Sequence, residues 1–215
     1  GRQTTRFLAR LEYRPATVEI LQAGTHTSIQ EFPGRVGYWD IGVPPSGPMD
    51  DLAFRLANEL VGNTGPAAGL ELTVSGPTLK FNAAAVIALC GAQMKAELDG
   101  EPVPYWTAVK VAAGGVLKMR SIQGAGQRTY LAVRGGFDVP TYMGSRATFT
   151  LGQFGGHAGP ALRGGDTLRL HENVDLTAVG PPLPPSRVPT YSNAWTIDVM
   201  SGPHGAPDFF TDEDI

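Results

Sequence analysis

Residues 69–100 read GLELTVSGPTLKFNAAAVIALCGAQMKAELDG, and this run decides the fold. Apolar and polar residues alternate through Gly69–Val74 and Thr78–Phe81. Val86–Cys90 is apolar at every position, and Gln93–Leu98 alternates again. Period-two alternation interrupted by turn residues marks short β-strands. The interruptions are Ser75-Gly76-Pro77, Gly91 and Asp99-Gly100, and Asp-Gly is a strong hairpin signal.

The same grammar extends outward. Downstream it predicts strands at Ala108–Val111, Val116–Arg120, Arg128–Val133 and Asp166–Leu170, and upstream at Thr17–Gln22 and Thr27–Phe32. Many short strands with regular turns predict a mainly β fold of the barrel or sandwich kind. One stretch departs from it: residues 37–63, GYWDIGVPPSGPMDDLAFRLANELVGN. There Leu52, Leu56 and Leu60 recur every four residues with Ala53, Ala57 and Val61 beside them, the stripe of an amphipathic helix. Arg55, Asn58 and Glu59 fall largely on its other side. Pro48 suits the first turn, Asp50 and Asp51 the positive end of the helix dipole, and Gly62-Asn63 the stop. The fold class is therefore mainly β (α+β), with one main helix near residues 48–62.

Composition bounds the function. Charged residues are 17% of the chain, below the usual quarter or so. The formal net charge is −3 and no basic block occurs, so non-specific nucleic-acid binding is not expected. No apolar run approaches the ~18 residues of a membrane helix, and no membrane association is expected. The lone Cys90 lies in the apolar run VIALC, reads as a buried thiol and fits a cytoplasmic compartment.

The expected organisation is a β-rich unit over residues 13–170 and a Pro-rich linker over 171–192, stiffened by GPPLPP at 180–185. A further segment begins at 193–215 with a strand at Trp195–Met200. Residues 1–12 could form a short helix. The chain opens without Met and closes on a helix start, Thr211–Ile215, so it reads as a piece of a longer polypeptide.

The four histidines show no metal-ligand spacing, so no metal is expected. Neither a phosphate loop nor a Gly-x-Ser-x-Gly elbow occurs. Three loops remain. In Gly42–Asp50, Ser46 either donates to a ligand or caps the helix. In Tyr142–Thr148, Gly144 permits close backbone approach, and Arg146 either recognises a carboxylate or ureido carbonyl or makes a surface salt bridge. In Gly202-Pro203-His204, the histidine is a base or a plain loop residue.

Five stretches carry a resemblance. They are QAGTHTSIQEFPGRVGYWDIGVPPSGPMDDLAFRLANELVGN (22–63), LELTVSGPTLKF (70–81), RTYLAVRGGFDVP (128–140), MGSRATFTLGQFGGHAGPALRGGDTL (143–168) and SGPHGAPDFF (201–210). Together they resemble the carboxyltransferase of urea carboxylase, the biotin-dependent half of urea amidolyase. The same module occurs as allophanate hydrolase subunit 2-like proteins and as a 5-oxoprolinase subunit. The opening GRQTTRFLARL resembles the tail of a biotin carboxylase domain.

The resemblance implies cyclophilin-like barrel portions and a ligase reaction in which a carboxyl group moves from carboxybiotin to urea, giving allophanate. Biotin would ride on a separate carrier domain, and ATP and bicarbonate would be used in a separate biotin carboxylase domain. The second half of the carboxyltransferase would be a further partner. Such chemistry needs donors for a ureido oxygen and acceptors for urea N–H groups, away from water. The resemblance places Ser46, Asp50 and Arg146 as catalytic residues. It places Asp40, Gly47, Met49, Arg55, Asn58, Ser145 and Thr148 at the substrate. Asp40 or Asp50 would accept from urea, while Ser46, Arg146 and the loop N–H groups would hold an oxyanion. Two alternatives stand beside this reading: a 5-oxoprolinase-type subunit, and a non-catalytic interaction module.

Overall fold

The computed structural model describes residues 15–200, 202, 210, 211, 213 and 214. The helix expected over 1–12 and the loop around His204 lie outside the described residues.

The strands are β1 (Thr17–Gln22), β2 (His26–Gln30), β3 (Gly69–Thr73), β4 (Thr78–Phe81), β5 (Ala85–Gly91), β6 (Met94–Leu98), β7 (Glu101–Pro102), β8 (Ala108–Val111), β9 (Val116–Ile122), β10 (Arg128–Val133), β11 (Phe137–Asp138) and β12 (Thr167–Leu170). They form two antiparallel sheets, ordered β11-β12-β1-β4-β9-β6-β7 and β2-β3-β10-β5-β8. At the β6–β7 hairpin both Asp99 (φ 52°) and Gly100 (φ 93°) take the left-handed conformation. That is the backbone a two-residue turn between twisted strands requires, and it is why Asp-Gly sits there.

Strand parity builds two cores. Val18, Ile20, Leu79, Phe81, Leu117 and Leu168 from the first sheet face Ile29, Leu70, Leu72, Ile87, Leu89 and Leu131 from the second. The second sheet also buries its outer face. There Val86, Ala88 and Cys90 of β5 and Tyr130 and Ala132 of β10 pack against Phe54, Leu56, Ala57 and Leu60 of α1 (Asp51–Leu60). This explains why Val86–Cys90 is apolar at both parities: one set faces the sandwich and the other faces the helix.

The helix begins later than its sequence implies. Asp50 is the N-cap, and its side chain accepts from the Ala53 N–H at 3.0 Å. Pro48 therefore precedes the cap, and Ser46 (φ 54°) sits in a left-handed turn with Gly47 (φ 90°), too early to cap the helix. Leu52, expected inside, is exposed, because the stripe turns outward in the first turn. Asn58, expected on the polar face, is buried; its amide donates to the Phe54 carbonyl and its oxygen accepts from Asn63.

Two later segments also differ from expectation. Trp195–Met200 forms no strand; Trp195, Ile197 and Val199 are exposed, and no neighbouring edge among the described residues supplies ladder partners. The Pro-rich run is docked on the second core. Leu183 is buried there and its N–H meets the Trp106 carbonyl at 2.8 Å. A 3₁₀ turn at Pro185–Arg187 then presents Arg187 to both carboxylate oxygens of Glu59 at 2.7 and 2.8 Å.

Leu131 is fully buried between the sheets. We expect Leu131→Ala to cost about 2–5 kcal/mol in guanidinium unfolding, because the sheets cannot collapse onto the space left.

Candidate active site

The loop before α1 is held by one row of side chains on the outer face of the second sheet. Register places Ser28 opposite Glu71, Glu71 opposite Tyr130, and Tyr130 opposite Cys90. Leu70 and Leu72 point into the sandwich, so Glu71 between them must point toward the helix side. Gln30 lies next to this row, and its amide donates to Ser28 Oγ at 3.0 Å.

Three loop N–H groups end on the row. Gly47 donates to Gln30 Oε1 at 3.0 Å, Met49 to Glu71 Oε2 at 2.8 Å, and Asp50 to the Tyr130 hydroxyl at 2.7 Å. The Tyr130 hydroxyl in turn donates to Glu71 Oε2 at 2.9 Å, and Arg128 Nε lies 3.5 Å from Glu71 Oε1. Burial, reinforced by the Glu71 charge, drives the Tyr130 pKa upward, so it remains a neutral donor. The N–H groups of Gly47, Met49 and Asp50 are therefore not open to an oxyanion. Of the rest of the loop, Gly42 and Val43 donate to Trp39 and Tyr38 carbonyls, and the prolines carry no N–H. Ser46 alone keeps both its N–H and its hydroxyl without a partner among the described residues.

The second glycine-rich loop reaches the first through Arg35. This guanidinium is fully buried. Its Nε donates to the Tyr142 carbonyl at 3.1 Å and its Nη2 to the Ala147 carbonyl at 2.9 Å, and it lies 4.8 Å from the Phe154 ring centroid. Its own N–H bonds the Pro45 carbonyl of the first loop. Burial lowers its pKa, and the nearby Tyr142, Tyr38 and Glu31 oppose that, so it stays a cation. Gly155 and Gly156 close the packing: a Cβ on Gly155 would strike the Ala147 carbonyl, and one on Gly156 the Thr148 hydroxyl. Gln30 joins the loops a second time, with its amide 3.4 Å from the Thr148 carbonyl.

The candidate residues divide accordingly. Ser46 and Gly47 on the first loop, and Ser145, Arg146 and Thr148 on the second, gather around residues 29–35, while Met49 and Asp50 are seated on Glu71 and Tyr130. Ser145 is buried and its hydroxyl accepts from the Ala147 N–H at 3.0 Å; Thr148 is buried and its N–H bonds the Ile29 carbonyl at 2.9 Å. Arg146 is partly exposed and pairs with the buried Glu31 at 2.9 Å, which occupies one guanidinium nitrogen and leaves other donors. Asp50 uses one oxygen for Ala53 and offers the other to the Tyr191 hydroxyl at 2.6 Å. Arg55 and Asn58, on the helix, border Phe32 and Pro33 of the 29–35 segment. They line a cleft of about 540 Å³ with Phe32, Pro33, Phe54 and Glu59, where Arg55 stacks on Phe32 at 4.9 Å. Asp40 stands exposed on a 3₁₀ turn, Trp39–Ile41, and makes no hydrogen bond or ion pair among the described residues.

Sequence reasoning missed Gln30, Glu31, Arg35, Glu71, Tyr130 and Tyr191. Glu71 and Tyr130 could have been found by carrying strand parity through to the apolar second face of Val86–Cys90. Arg35 has no such signal, since it sits between turns at Gly34 and Gly37.

Among the described residues no three His, Cys, Asp or Glu side chains converge on a metal site. Burial raises the Cys90 pKa well above its ordinary value, which makes the thiol a poor nucleophile at neutral pH.

The family described as carboxyltransferase domain, subdomain A and B, matches residues 41–215. The chain belongs to that family. It is 46% identical to the urea amidolyase of Saccharomyces cerevisiae over 217 aligned residues, covering 99% of this chain and 12% of the relative. The crystal structure of the Kluyveromyces lactis urea carboxylase superposes with a TM-score of 0.84 at 40% identity, covering 98% of this chain and 19% of that one. A 5-oxoprolinase subunit of Escherichia coli is 40% identical over 155 residues, 71% of this chain and 49% of its own. This carboxyltransferase-family chain thus spans about an eighth of the yeast relative's length. No helix among its described residues is long and apolar enough to cross a membrane.

Two substitutions test the scaffold. Tyr130→Phe removes the acceptor for the Asp50 N–H and a donor to Glu71, and should cost about 1–3 kcal/mol in guanidinium unfolding. Arg35→Met leaves the Ala147 carbonyl unpaired and the Tyr142 carbonyl with the Ser145 N–H alone. It should cost about as much again, and should speed limited proteolysis within residues 142–156 before the sheets unfold.

Proposed function

We propose that this chain is part of the carboxyltransferase of a biotin-dependent urea carboxylase, acting in transfer of a carboxyl group to urea to give allophanate. The observation that carries the reading is the extent of likeness. The match to urea amidolyase runs over 99% of the chain, whereas that to the bacterial 5-oxoprolinase subunit runs over 71%. The second relationship makes a 5-oxoprolinase-type subunit the alternative within the family.

The donor set fits a ureido group. Carboxybiotin, held on a carrier domain and loaded with ATP and bicarbonate in a biotin carboxylase domain, would supply the carboxyl group when bound. Ser46 brings a hydroxyl and an N–H without a partner among the described residues, and Arg146 keeps guanidinium N–H groups beyond the one given to Glu31. Both suit an oxygen that gains negative charge. Asp50 holds each carboxylate oxygen by one protein donor and so keeps an acceptor position on each for a urea N–H. Gly47, Met49, Ser145 and Thr148 shape the walls through their backbone positions, while Arg55 and Asn58 line the cleft beside Phe32 and Pro33, and Asp40 is exposed on its own turn.

The loop also shows an unburied apolar rim. Trp39, Ile41 and Met49 are 72%, 66% and 73% exposed. Side chains of this kind at a site mouth suit coverage by another protein surface. The second half of the carboxyltransferase is the partner proposed to supply it and to exclude water. The cytoplasm is the proposed compartment.

Urea-dependent ATP cleavage by the complete enzyme tests the reading. Ser46→Ala, Asp50→Asn and Arg146→Ala should each lower it at least about tenfold, while urea-independent biotin carboxylation stays normal. Normal urea turnover in all three would sink the assignment.

A further inference from the structure

The strap over residues 175–191 crosses the helix side of the second sheet and is pinned at successive points. Arg134 Nη1 donates to the Asp175 carbonyl at 2.7 Å and Lys110 Nζ to the Thr177 carbonyl at 2.9 Å. Leu183 enters the second core, and Arg187 forks onto Glu59. The last pin is the Tyr191 hydroxyl on Asp50 Oδ2 at 2.6 Å. It differs in kind from the others, because it lands on a carboxylate in the candidate site and not on scaffold.

A carboxylate on a helix N-cap has one free torsion that sets the plane of its oxygens. The Ala53 N–H fixes Oδ1 at 3.0 Å, and the Tyr191 hydroxyl fixes Oδ2 at 2.6 Å. Two donors on two different oxygens lock that plane; one donor would leave it free to swing. Tyr191 is partly buried, and burial with the Asp50 contact raises its pKa, so the hydroxyl keeps its proton and remains a donor through the neutral range.

We propose that Tyr191 is a positioning residue for Asp50: it holds the carboxylate plane so that the two remaining acceptor positions face a planar ligand with paired N–H donors, the class to which urea belongs. This rests on the assignment of Asp50 to the substrate made above. It places a determinant of urea recognition in the Pro-rich strap, on a residue that need not touch the substrate. Loss of the hydroxyl frees the carboxylate torsion, so substrate binding suffers while the reacting groups stay in place. The effect falls on KM and not on kcat.

The test uses the complete enzyme, with urea-dependent ATP cleavage followed against urea concentration. Tyr191→Phe should raise KM for urea about tenfold with kcat within about twofold and an unchanged Tm. Arg187→Ala, which loosens the strap but leaves the hydroxyl, should keep KM within about twofold. A wild-type KM in Tyr191→Phe overturns the proposal, as does an equal rise in Arg187→Ala, which would make strap attachment the cause. So does a fall in kcat and Tm together, the mark of a merely structural role. Asp50→Asn separates the two levels. If it abolishes urea turnover while Tyr191→Phe behaves as wild type, the site stands and the positioning role fails. If it turns urea over normally, the site assignment itself fails and the proposal with it.

Discussion

Gln30, Glu71 and Tyr130 form a polar row on the face of a sheet whose neighbouring residues are apolar, and the loop before α1 is laid down on that row. The arrangement is demanding. Glu71 is buried, and an unpaired carboxylate there would be costly to desolvate. Its oxygens are met by the Met49 N–H, the Tyr130 hydroxyl and the nearby Arg128. The loop in turn has N–H groups that would be orphaned by its approach to the sheet. Each partner removes the other's penalty, so the loop has one well-defined seat. The helix start then follows, because Asp50 is fixed by its own N–H before its side chain caps Ala53.

Arg35 imposes the matching constraint on the other side. A buried guanidinium is stable only where carbonyls converge on it. Here they come from Tyr142 and Ala147, while the Arg35 backbone holds Pro45. Two loops separated by about a hundred residues are thereby set against the same short segment. Glycine at 155 and 156 is a consequence of that proximity, since side chains would collide with the very groups being drawn together.

How much of this could be read from the residues differs by element. The strands were legible, because alternation and Gly or Pro punctuation are local signals, and Asp99-Gly100 marked its hairpin correctly. The helix was legible in type but not in its first turn, since Asp50 as the cap depends on Tyr130, eighty residues away. Trp195–Met200 shows the limit from the other direction. It alternates as a strand should, yet a strand exists only with a neighbour, and none lies beside it among the described residues. The candidate loops came from the resemblance together with their glycines and prolines. The residues that seat them, Glu71, Tyr130 and Arg35, sit in strands and turns where local pattern assigns no role. The Pro-rich run reads as a linker in the sequence because Leu183 carries no periodic signal; its burial is set by Trp106 and the helix.

The seating of the loop also narrows the chemistry it can perform. A Gly- and Pro-rich turn at a helix start suggests an array of free N–H groups, the usual way such turns hold anions. In this chain that array is spent on the protein: Gly47, Met49 and Asp50 donate to the polar row, Gly42 and Val43 donate to the turn at Trp39, and Pro44, Pro45 and Pro48 have nothing to donate. The rigidity that comes from using those groups is what leaves Ser46 isolated, with its N–H and hydroxyl together on a left-handed residue that cannot join the helix. A site built this way has few donors but fixed ones. That suits the proposed carboxyl transfer, whose charge develops on a single ureido oxygen, better than a reaction on a phosphate with several. It also makes Ser46 sensitive to the polar row beneath it, so a change at Glu71 or Tyr130 reaches the N–H and hydroxyl of Ser46 without touching them.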